Sequence, residues 1–136
     1  MTLAERNIDA LRPIYAEWAR GNFRPRFESY SPEMQWGWSD EFPGLERVGP
    51  DDSDRSDRLR QWLGGWEDWR CEAEDYVADG DSVVVLTRYR GRGKVSGASV
   101  DTTGAHVWTL RQGKVVRLTI YSSRDKALEA AGLSSR

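Results

Sequence analysis

Apolar residues recur at two different spacings along this chain of 136 residues, and the change falls near residue 70. Before that point, spacings of three and four predict a helix over residues 3–20 and a second helix from Ser53 or Ser56 to Trp69, because such spacings place side chains on one helical face. Pro13 predicts a kink in the first helix or a later start, since proline removes a backbone donor. The apolar positions are Ile8, Leu11, Ile14, Tyr15 and Trp18 in the first helix and Leu59, Trp62, Leu63 and Trp66 in the second.

The stretch between these two helices carries many turn-forming residues. Residues 23–30 predict a short helical turn, and residues 40–53, which hold several glycines, prolines and aspartates, predict a loop. Residues 34–38 predict a brief strand, because every second residue there is large and apolar. The residues on one face of that strand are Met34, Trp36 and Trp38.

Beyond residue 70, apolar and polar residues alternate, and this period of two predicts β-strands. Residues 79–81 and 112–113 predict tight hairpin turns, and a last helix is predicted from Arg124 to Ala131, ended by Gly132. Helices followed by an antiparallel meander predict an α+β fold, as one domain over residues 1–136. The predicted strands cover residues 71–78, 82–91, 95–110 and 114–122.

One predicted strand carries an apolar run, Val83 to Leu86, that faces both sides of the sheet. Neither face of such a strand can be left in water. If helices cover one face, a second copy of the chain is the simplest cover for the other. We therefore expect a homodimer that associates through the outer sheet face.

Composition narrows the class of protein. Seven tryptophans supply apolar area for a core, while a net charge of −2 does not favour nucleic acid as a partner. No apolar run approaches the roughly 20 residues that span a bilayer, so a membrane is not expected as a partner. The N-terminus lacks the pattern of a secretory signal, and we expect a cytoplasmic domain. One cysteine and one histidine exclude a disulfide framework and a multi-histidine metal site, so neither a metal nor a cofactor is predicted.

His106 is the only side chain whose ordinary pKa lies near neutrality. Strand alternation places it on the same face as Trp108 and Leu110, the apolar and inward face. There an imidazole can act as a general acid, a general base or a hydrogen-bond donor to a ligand carbonyl. The alternative is a core histidine bonded to a backbone carbonyl, because a single histidine lacks the partner geometry that catalysis needs.

Two further side chains are candidates for the same chemistry. Tyr15 lies on the inner face of the first predicted helix, where its hydroxyl needs a ligand oxygen, a water or a main-chain carbonyl as partner. Asp40 follows the predicted Trp36/Trp38 strand with the same parity. Beside two indoles, its pKa would rise and it would become a stronger base, whereas as a solvated loop residue it would have no such role.

The tryptophans are too many and too large for a small core to pack without gaps. Aromatic walls around a cavity are typical of small-molecule sites, so we expect some of these rings to line a pocket. Basic side chains alternate between Arg88 and Lys94 and could bind an anion, but acidic residues on the neighbouring predicted strand favour cross-strand ion pairs.

These elements, in this order, resemble the SnoaL-like branch of the nuclear transport factor 2-like superfamily, which includes the ketosteroid isomerases. The resemblance is clearest at residues 79–85, 88–93, 105–116 and 126–133. It implies a cystatin-like cone, in which three to four helices pack on a curved antiparallel sheet around a deep apolar cavity, and commonly a dimer.

The same resemblance implies roles for individual residues. Tyr15 matches the isomerase tyrosine that donates to the substrate oxygen, and His106 falls about where those enzymes keep a protonated carboxylic acid as second donor. The isomerase aspartate falls near Trp38, so this chain has no acid at the matching position, and Asp40 lies two residues away.

The sequence therefore predicts a site for a small, largely apolar, carbonyl-containing molecule in the cone. One interpretation adds cofactor-free acid–base chemistry of the isomerase, cyclase or dehydratase type, and the other is a non-catalytic binding or dimerisation module. The candidate catalytic residues are His106, Tyr15 and Asp40, and the candidate ligand-binding residues are Trp36, Trp38, Trp62, Trp66, Trp108 and Tyr121.

Overall fold

The first helix, α1, spans Leu3–Ala19 in a computed structural model that describes residues 2–23, 30–39 and 63–133. Thr2 caps it, accepting a hydrogen bond from the Glu5 backbone N–H while the Glu5 side chain bonds the Thr2 backbone N–H. This reciprocal cap satisfies two donors that a helix start otherwise leaves unpaired. The helix begins at the predicted residue and continues through Pro13, so the later start that the proline suggested does not occur.

Five strands form one curled sheet of mixed direction. Strands β2 to β5 pair antiparallel in chain order, as the period of two predicts. Strand β2 forms one edge of the sheet, and β1 forms the opposite edge, where it pairs parallel with β5. The expectation of a purely antiparallel sheet is therefore wrong for this strand. The bounds are β1 Tyr30–Trp38, β2 Trp66–Asp79, β3 Ser82–Gly93, β4 Ser99–Arg111 and β5 Lys114–Tyr121.

The end of the predicted second helix is wrong. Helical conformation stops at Gly64, and strand β2 begins at Trp66, so Trp66 and Trp69 belong to the sheet. Paired glycines favour this ending because glycine is a poor helix former. The rest of that helix lies outside the described residues, as do residues 24–29 of the turn predicted over residues 23–30 and the loop predicted over residues 40–53. Tyr30, the last residue of that predicted turn, begins strand β1.

Helix α2, Arg124–Ala130, follows the last strand and is capped by the Ser123 side chain. It packs on the outer face of the sheet, where Ala127 joins the buried Val84 and Ala105 in a small second cluster. Helix α1 covers the opposite, concave face, where it contacts mainly β2, and Leu11 and Ile14 belong to the main core together with buried residues of the sheet.

This placement of α2 changes the argument for a dimer. The outward-facing part of the apolar run in β3, at Val84, is already buried by a helix of the same chain. A second copy is therefore not needed as a cover at that position, and the homodimer stays a prediction. No helix among the described residues is both long and apolar enough to cross a membrane.

Candidate functional site

Two strands and one helix bring the chemistry-bearing side chains together on the concave face. His106 and Trp108 lie on β4 with the same parity, as strand alternation predicts, and β4 pairs with β3 so that Val85 lies opposite His106. Tyr15 reaches them from the buried side of α1. Tyr89, four residues beyond Val85 on β3, faces the same side of the sheet.

These four side chains form a continuous hydrogen-bond chain. The Trp108 indole Nε1–H donates to the Tyr15 hydroxyl at 2.8 Å. That hydroxyl lies 2.5 Å from His106 Nδ1, and the Tyr89 hydroxyl lies 2.9 Å from His106 Nε2. Both ring nitrogens of the histidine therefore have tyrosine partners instead of a main-chain carbonyl. We call this arrangement (Trp108, Tyr15, His106 and Tyr89) the buried relay.

The direction of the protons follows from what each group can donate. An indole N–H only donates, so the Tyr15 oxygen accepts from Trp108 and its own O–H needs an acceptor. Since Tyr15 is buried, leaving that proton unpaired would be costly, and His106 Nδ1 accepts it. His106 then carries its proton on Nε2 and donates to Tyr89. The Tyr89 O–H proton is left for a further partner.

Burial keeps the relay uncharged near neutral pH. Desolvation lowers the pKa of His106 from its usual 6.5 to about 3, because the buried ring cannot hold a positive charge. Desolvation also raises the pKa of Tyr15 and of Tyr89, which remain protonated donors. A neutral histidine with both nitrogens bonded transmits polarisation between the two hydroxyls but has no free nitrogen to act as a base.

Aromatic rings lie beside the relay and continue from it in a row toward the first residues of β2. Trp18 contacts the His106 ring edge-on at 5.8 Å between centroids. Tyr89 stacks on Trp69 at 5.8 Å, and Trp69 contacts Trp66 at 4.9 Å. These four rings are half-buried, whereas the relay behind them is closed to solvent apart from Tyr89 itself.

Two glycines make room for this row. A Cβ on Gly91 would lie 2.5 Å from Trp69 Cε3, and a Cβ on Gly104 would lie 2.9 Å from Tyr89 Cε2. Trp69 reaches Gly91 through a β-bulge that starts at Asp68, whose φ of 54° is left-handed. The glycine at position 104 thus allows the Tyr89 ring to approach the His106 side of the sheet.

The outer face of the same strands carries a network of ion pairs. Arg88 makes a bidentate contact with Asp101 at 2.7 and 2.9 Å and lies 3.6 Å from Glu74, while Arg90 lies 3.4 Å from Glu72. The expectation of cross-strand pairs, rather than a free basic stripe, agrees with this geometry. These side chains are well exposed, so such pairs contribute little to stability.

An open cleft of about 380 Å³ lies at this end of the sheet, with Arg70, Arg90 and Arg92 among its lining residues. It is separate from the relay, because none of its lining residues is a relay member. The cavity expected beside His106 therefore stays a prediction. Within the described ranges, no three His, Cys, Asp or Glu side chains are grouped to hold a metal ion.

The structure brings together three of the predicted site residues, His106, Tyr15 and Trp108, and connects Trp66 to them through Trp69 and Tyr89. Tyr121 does not join them: it pairs with Ala105 and packs in the second cluster under α2, on the opposite face. Alternate residues of a strand face opposite sides of the sheet, and on β5 it is Ile120, not Tyr121, that shares the face of His106.

The remaining predicted residues cannot be placed in the site. Asp40 and Trp62 lie outside the described residues. Trp36 and Trp38 occur in β1 with backbone pairing to Leu118 and Ile120, but their side chains are likewise not among those described.

Sequence reasoning missed Tyr89 and Trp69. The signal for Tyr89 was its parity with Val83 and Val85, which places it on the face that carries His106 across the hairpin pairing. No comparable signal existed for Trp69, because its orientation depends on the bulge at Asp68.

A curled sheet with α1 on its concave side and a polar relay inside defines an α+β cone domain of the cystatin-like type. The chain belongs to the SnoaL-like domain family, whose model matches residues 3–118. No curated protein matches this sequence.

Solved structures give the same fold at low sequence identity. A putative SnoaL-like polyketide cyclase from Jannaschia sp. CCS1 is similar with a TM-score of 0.72 and 17% identity, covering 100% of this chain and 96% of that one. An NTF2-like protein from Burkholderia thailandensis E264 gives 0.71 and 21%, covering 93% and 95%. TerC, co-crystallised with polyporic acid, gives 0.69 and 18%, covering 94% and 97%.

Proposed function

We propose that this chain binds a small, largely apolar, carbonyl-containing molecule on the concave face, with the carbonyl oxygen accepting a hydrogen bond from Tyr89. The observation that carries the proposal is the buried relay, which ends on Tyr89, a half-buried residue whose hydroxyl proton has no partner within the relay. The complex of the similar TerC with polyporic acid supports a small-molecule role for the fold.

The relay makes Tyr89 a strong neutral donor. Its oxygen accepts from His106 Nε2–H, and such a bond polarises the hydroxyl so that its own proton is donated more strongly. Because burial raises the pKa of Tyr89, the group stays protonated and can donate at neutral pH. The flanking rings of Trp69 and Trp18 offer apolar surface to the rest of the ligand.

A second candidate function is cofactor-free acid–base chemistry on the bound carbonyl, of the isomerase, cyclase or dehydratase type. The observation that favours it is the 2.5 Å contact between the Tyr15 hydroxyl and His106 Nδ1, which couples the buried Tyr15 through the imidazole to the Tyr89 hydroxyl, the donor that faces the ligand oxygen. Donors that face developing negative charge typically lower a barrier by about 3 kcal/mol each. In this scheme His106 acts through Tyr89, and Asp40 is the candidate group that moves the proton.

Binding is tested by tryptophan fluorescence with an aryl ketone such as 2-acetylnaphthalene. We expect the Tyr89→Phe variant to bind the ketone about tenfold more weakly than the wild type, because it loses one hydrogen bond to the ligand. The Tyr121→Phe variant is the matched control, since Tyr121 lies on the opposite face and the same atom is removed. Equal affinity of the wild type and Tyr89→Phe would contradict the proposal.

Catalysis is tested separately with the His106→Ala variant. If the relay supports turnover, this variant loses activity on any converted ketone while circular dichroism shows a folded chain. Unchanged turnover in that variant would show that the relay does not support the chemistry, and absence of turnover in the wild type would leave the non-catalytic binding module as the function. Homodimerisation through the outer sheet face and a cytoplasmic location remain predictions, the former measured by sedimentation equilibrium.

A further inference from the structure

Thr87, on β3, has a buried hydroxyl without a hydrogen-bond partner. The residue is 0% exposed. Among the buried side-chain oxygen and nitrogen atoms of the described residues, Oγ1 of Thr87 is the one that lacks a hydrogen-bond partner. Buried polar side-chain atoms in folded proteins are mostly paired, so an exception calls for a physical explanation.

The position of Thr87 points this hydroxyl toward the proposed ligand site. Thr87 precedes Tyr89 by two residues on the same strand and therefore faces the same side of the sheet. Its neighbours across the sheet are small, Ala73 on β2 and Gly104 on β4. These two cross-strand neighbours carry no polar side-chain atom. The polar side chain that Thr87 does act on is Tyr89 on the same strand face, where desolvation raises the pKa of Tyr89 and the Thr87 hydroxyl lowers it by a smaller amount.

The backbone carbonyl of Thr87, by contrast, has a side-chain partner that comes from the outer face. Arg124 donates from Nη2 to the Thr87 carbonyl at 2.8 Å and from Nε to the Gly104 carbonyl at 3.2 Å. This clamp, which comes from α2 on the outer face, fixes the strand pair behind the site. The strand is therefore held in place while the hydroxyl on its concave side stays unpaired.

Two hydroxyls on one strand face thus have unused hydrogen-bonding capacity: Oγ1 of Thr87 and the O–H proton of Tyr89. We propose that Thr87 and Tyr89 form a two-hydroxyl subsite that binds one carbonyl oxygen of the ligand. A carbonyl oxygen has two lone pairs and no proton, so it accepts from both hydroxyls at once. The inference rests on the proposed function and adds Thr87 as a residue that selects a ligand with an oxygen at this point.

The test compares two probes that differ in that oxygen, 2-acetylnaphthalene and 2-ethylnaphthalene. The Thr87→Val variant keeps the shape of the side chain and removes the hydroxyl. We expect it to bind the ketone about tenfold more weakly and the hydrocarbon with unchanged affinity, because only the ketone uses the hydroxyl. The Thr87→Ser variant, which keeps the hydroxyl, restores ketone binding.

A second measurement uses the free protein. Removing a buried hydroxyl that has no partner is neutral or stabilising, so the Thr87→Val variant has a Tm equal to or above that of the wild type. A lower Tm, together with normal ketone affinity, would show that the hydroxyl is bonded within the free protein and would overturn the inference. Thr119→Val, at a buried threonine on the outer face, is the control for ketone affinity.

The outcomes separate this inference from the proposed function. If the wild type binds neither probe, the proposed function fails and the subsite fails with it. If the wild type binds the ketone and Tyr89→Phe weakens it while Thr87→Val does not, the proposed function stands and the inference about Thr87 is wrong.

Discussion

Acidification should destabilise this protein through its single histidine well before its carboxylates are protonated. His106 is buried and neutral, with a pKa lowered from 6.5 to about 3 by desolvation. In the unfolded chain the same ring binds a proton near pH 6.5, and the folded chain does not bind it until about pH 3. The unfolded state therefore gains protons first as the pH falls, and the free energy of unfolding decreases through that window.

The size of the effect follows from the two pKa values. Stability is fully present above the unfolded pKa of 6.5 and falls by about 1.4 kcal/mol for each pH unit below it. Between pH 8 and pH 4.5 the loss amounts to about 3 kcal/mol, a large share of the total for a domain of this size.

Urea denaturation at a series of pH values measures this loss, and the His106→Gln variant is the control because glutamine does not titrate. Glu74 and Asp101, whose pKa values are lowered by hydrogen bonds from Arg124 and Arg88, also lose stabilising charge in acid, but they are present in both proteins. We expect the wild type to lose about 3 kcal/mol more than the variant between pH 8 and pH 4.5. Equal pH slopes in the two proteins would refute the reasoning.

A second measurement avoids any doubt about folding of the variant. Because the chain has one histidine, its ring protons give unambiguous NMR signals in the wild type. We expect no titration of these signals between pH 8 and pH 5. A midpoint near 6.5 would show that the ring is solvated and that the buried relay is incorrect.

Two substitutions test the packing that holds the site. Gly91→Ala places a Cβ 2.5 Å from Trp69 Cε3 and should lower the free energy of unfolding by about 1–3 kcal/mol in urea denaturation. Gly64→Ala, in helical conformation with nothing within 4 Å, should leave that free energy unchanged or raise it by up to about 1 kcal/mol. Equal effects of the two would show that Trp69 does not lie over Gly91. Arg124→Ala removes the guanidinium that bonds the Thr87 carbonyl and should cost about 2–3 kcal/mol. A loss within about 0.5 kcal/mol would mean that the clamp is not made in solution.

Much of the fold was predictable because its local patterns agree with its backbone. The helix over residues 3–20 and the strands after residue 70 each carry a periodicity that only one conformation can bury on a single face. Where two glycines and a bulge interrupt the pattern, as between Gly64 and Asp68, the prediction extended the helix through residues that begin a strand. The prediction that Tyr121 lies in the site was wrong for a related reason, because on β5 it is Ile120, opposite His106, that faces inward.

The candidate site was predictable only in part. Helical spacing placed Tyr15 inward, and strand parity placed His106 with Trp108, and both inferences need nothing beyond the geometry of one element. The partner of His106 Nε2 could not be predicted in this way. Tyr89 reaches it across a hairpin, over a glycine at position 104, and no local pattern specifies which ring fills that space.

The amino-acid sequence by itself determined which side chains face inward, because the periods of 3.6 and 2 are properties of the backbone that each segment expresses alone. It did not determine which inward side chains meet. Tyr15 and His106 are 91 residues apart, and their contact exists because α1 docks on the sheet in one register. The unpaired Thr87 hydroxyl and the position of α2 on the outer face likewise depend on packing between segments that are distant in the sequence.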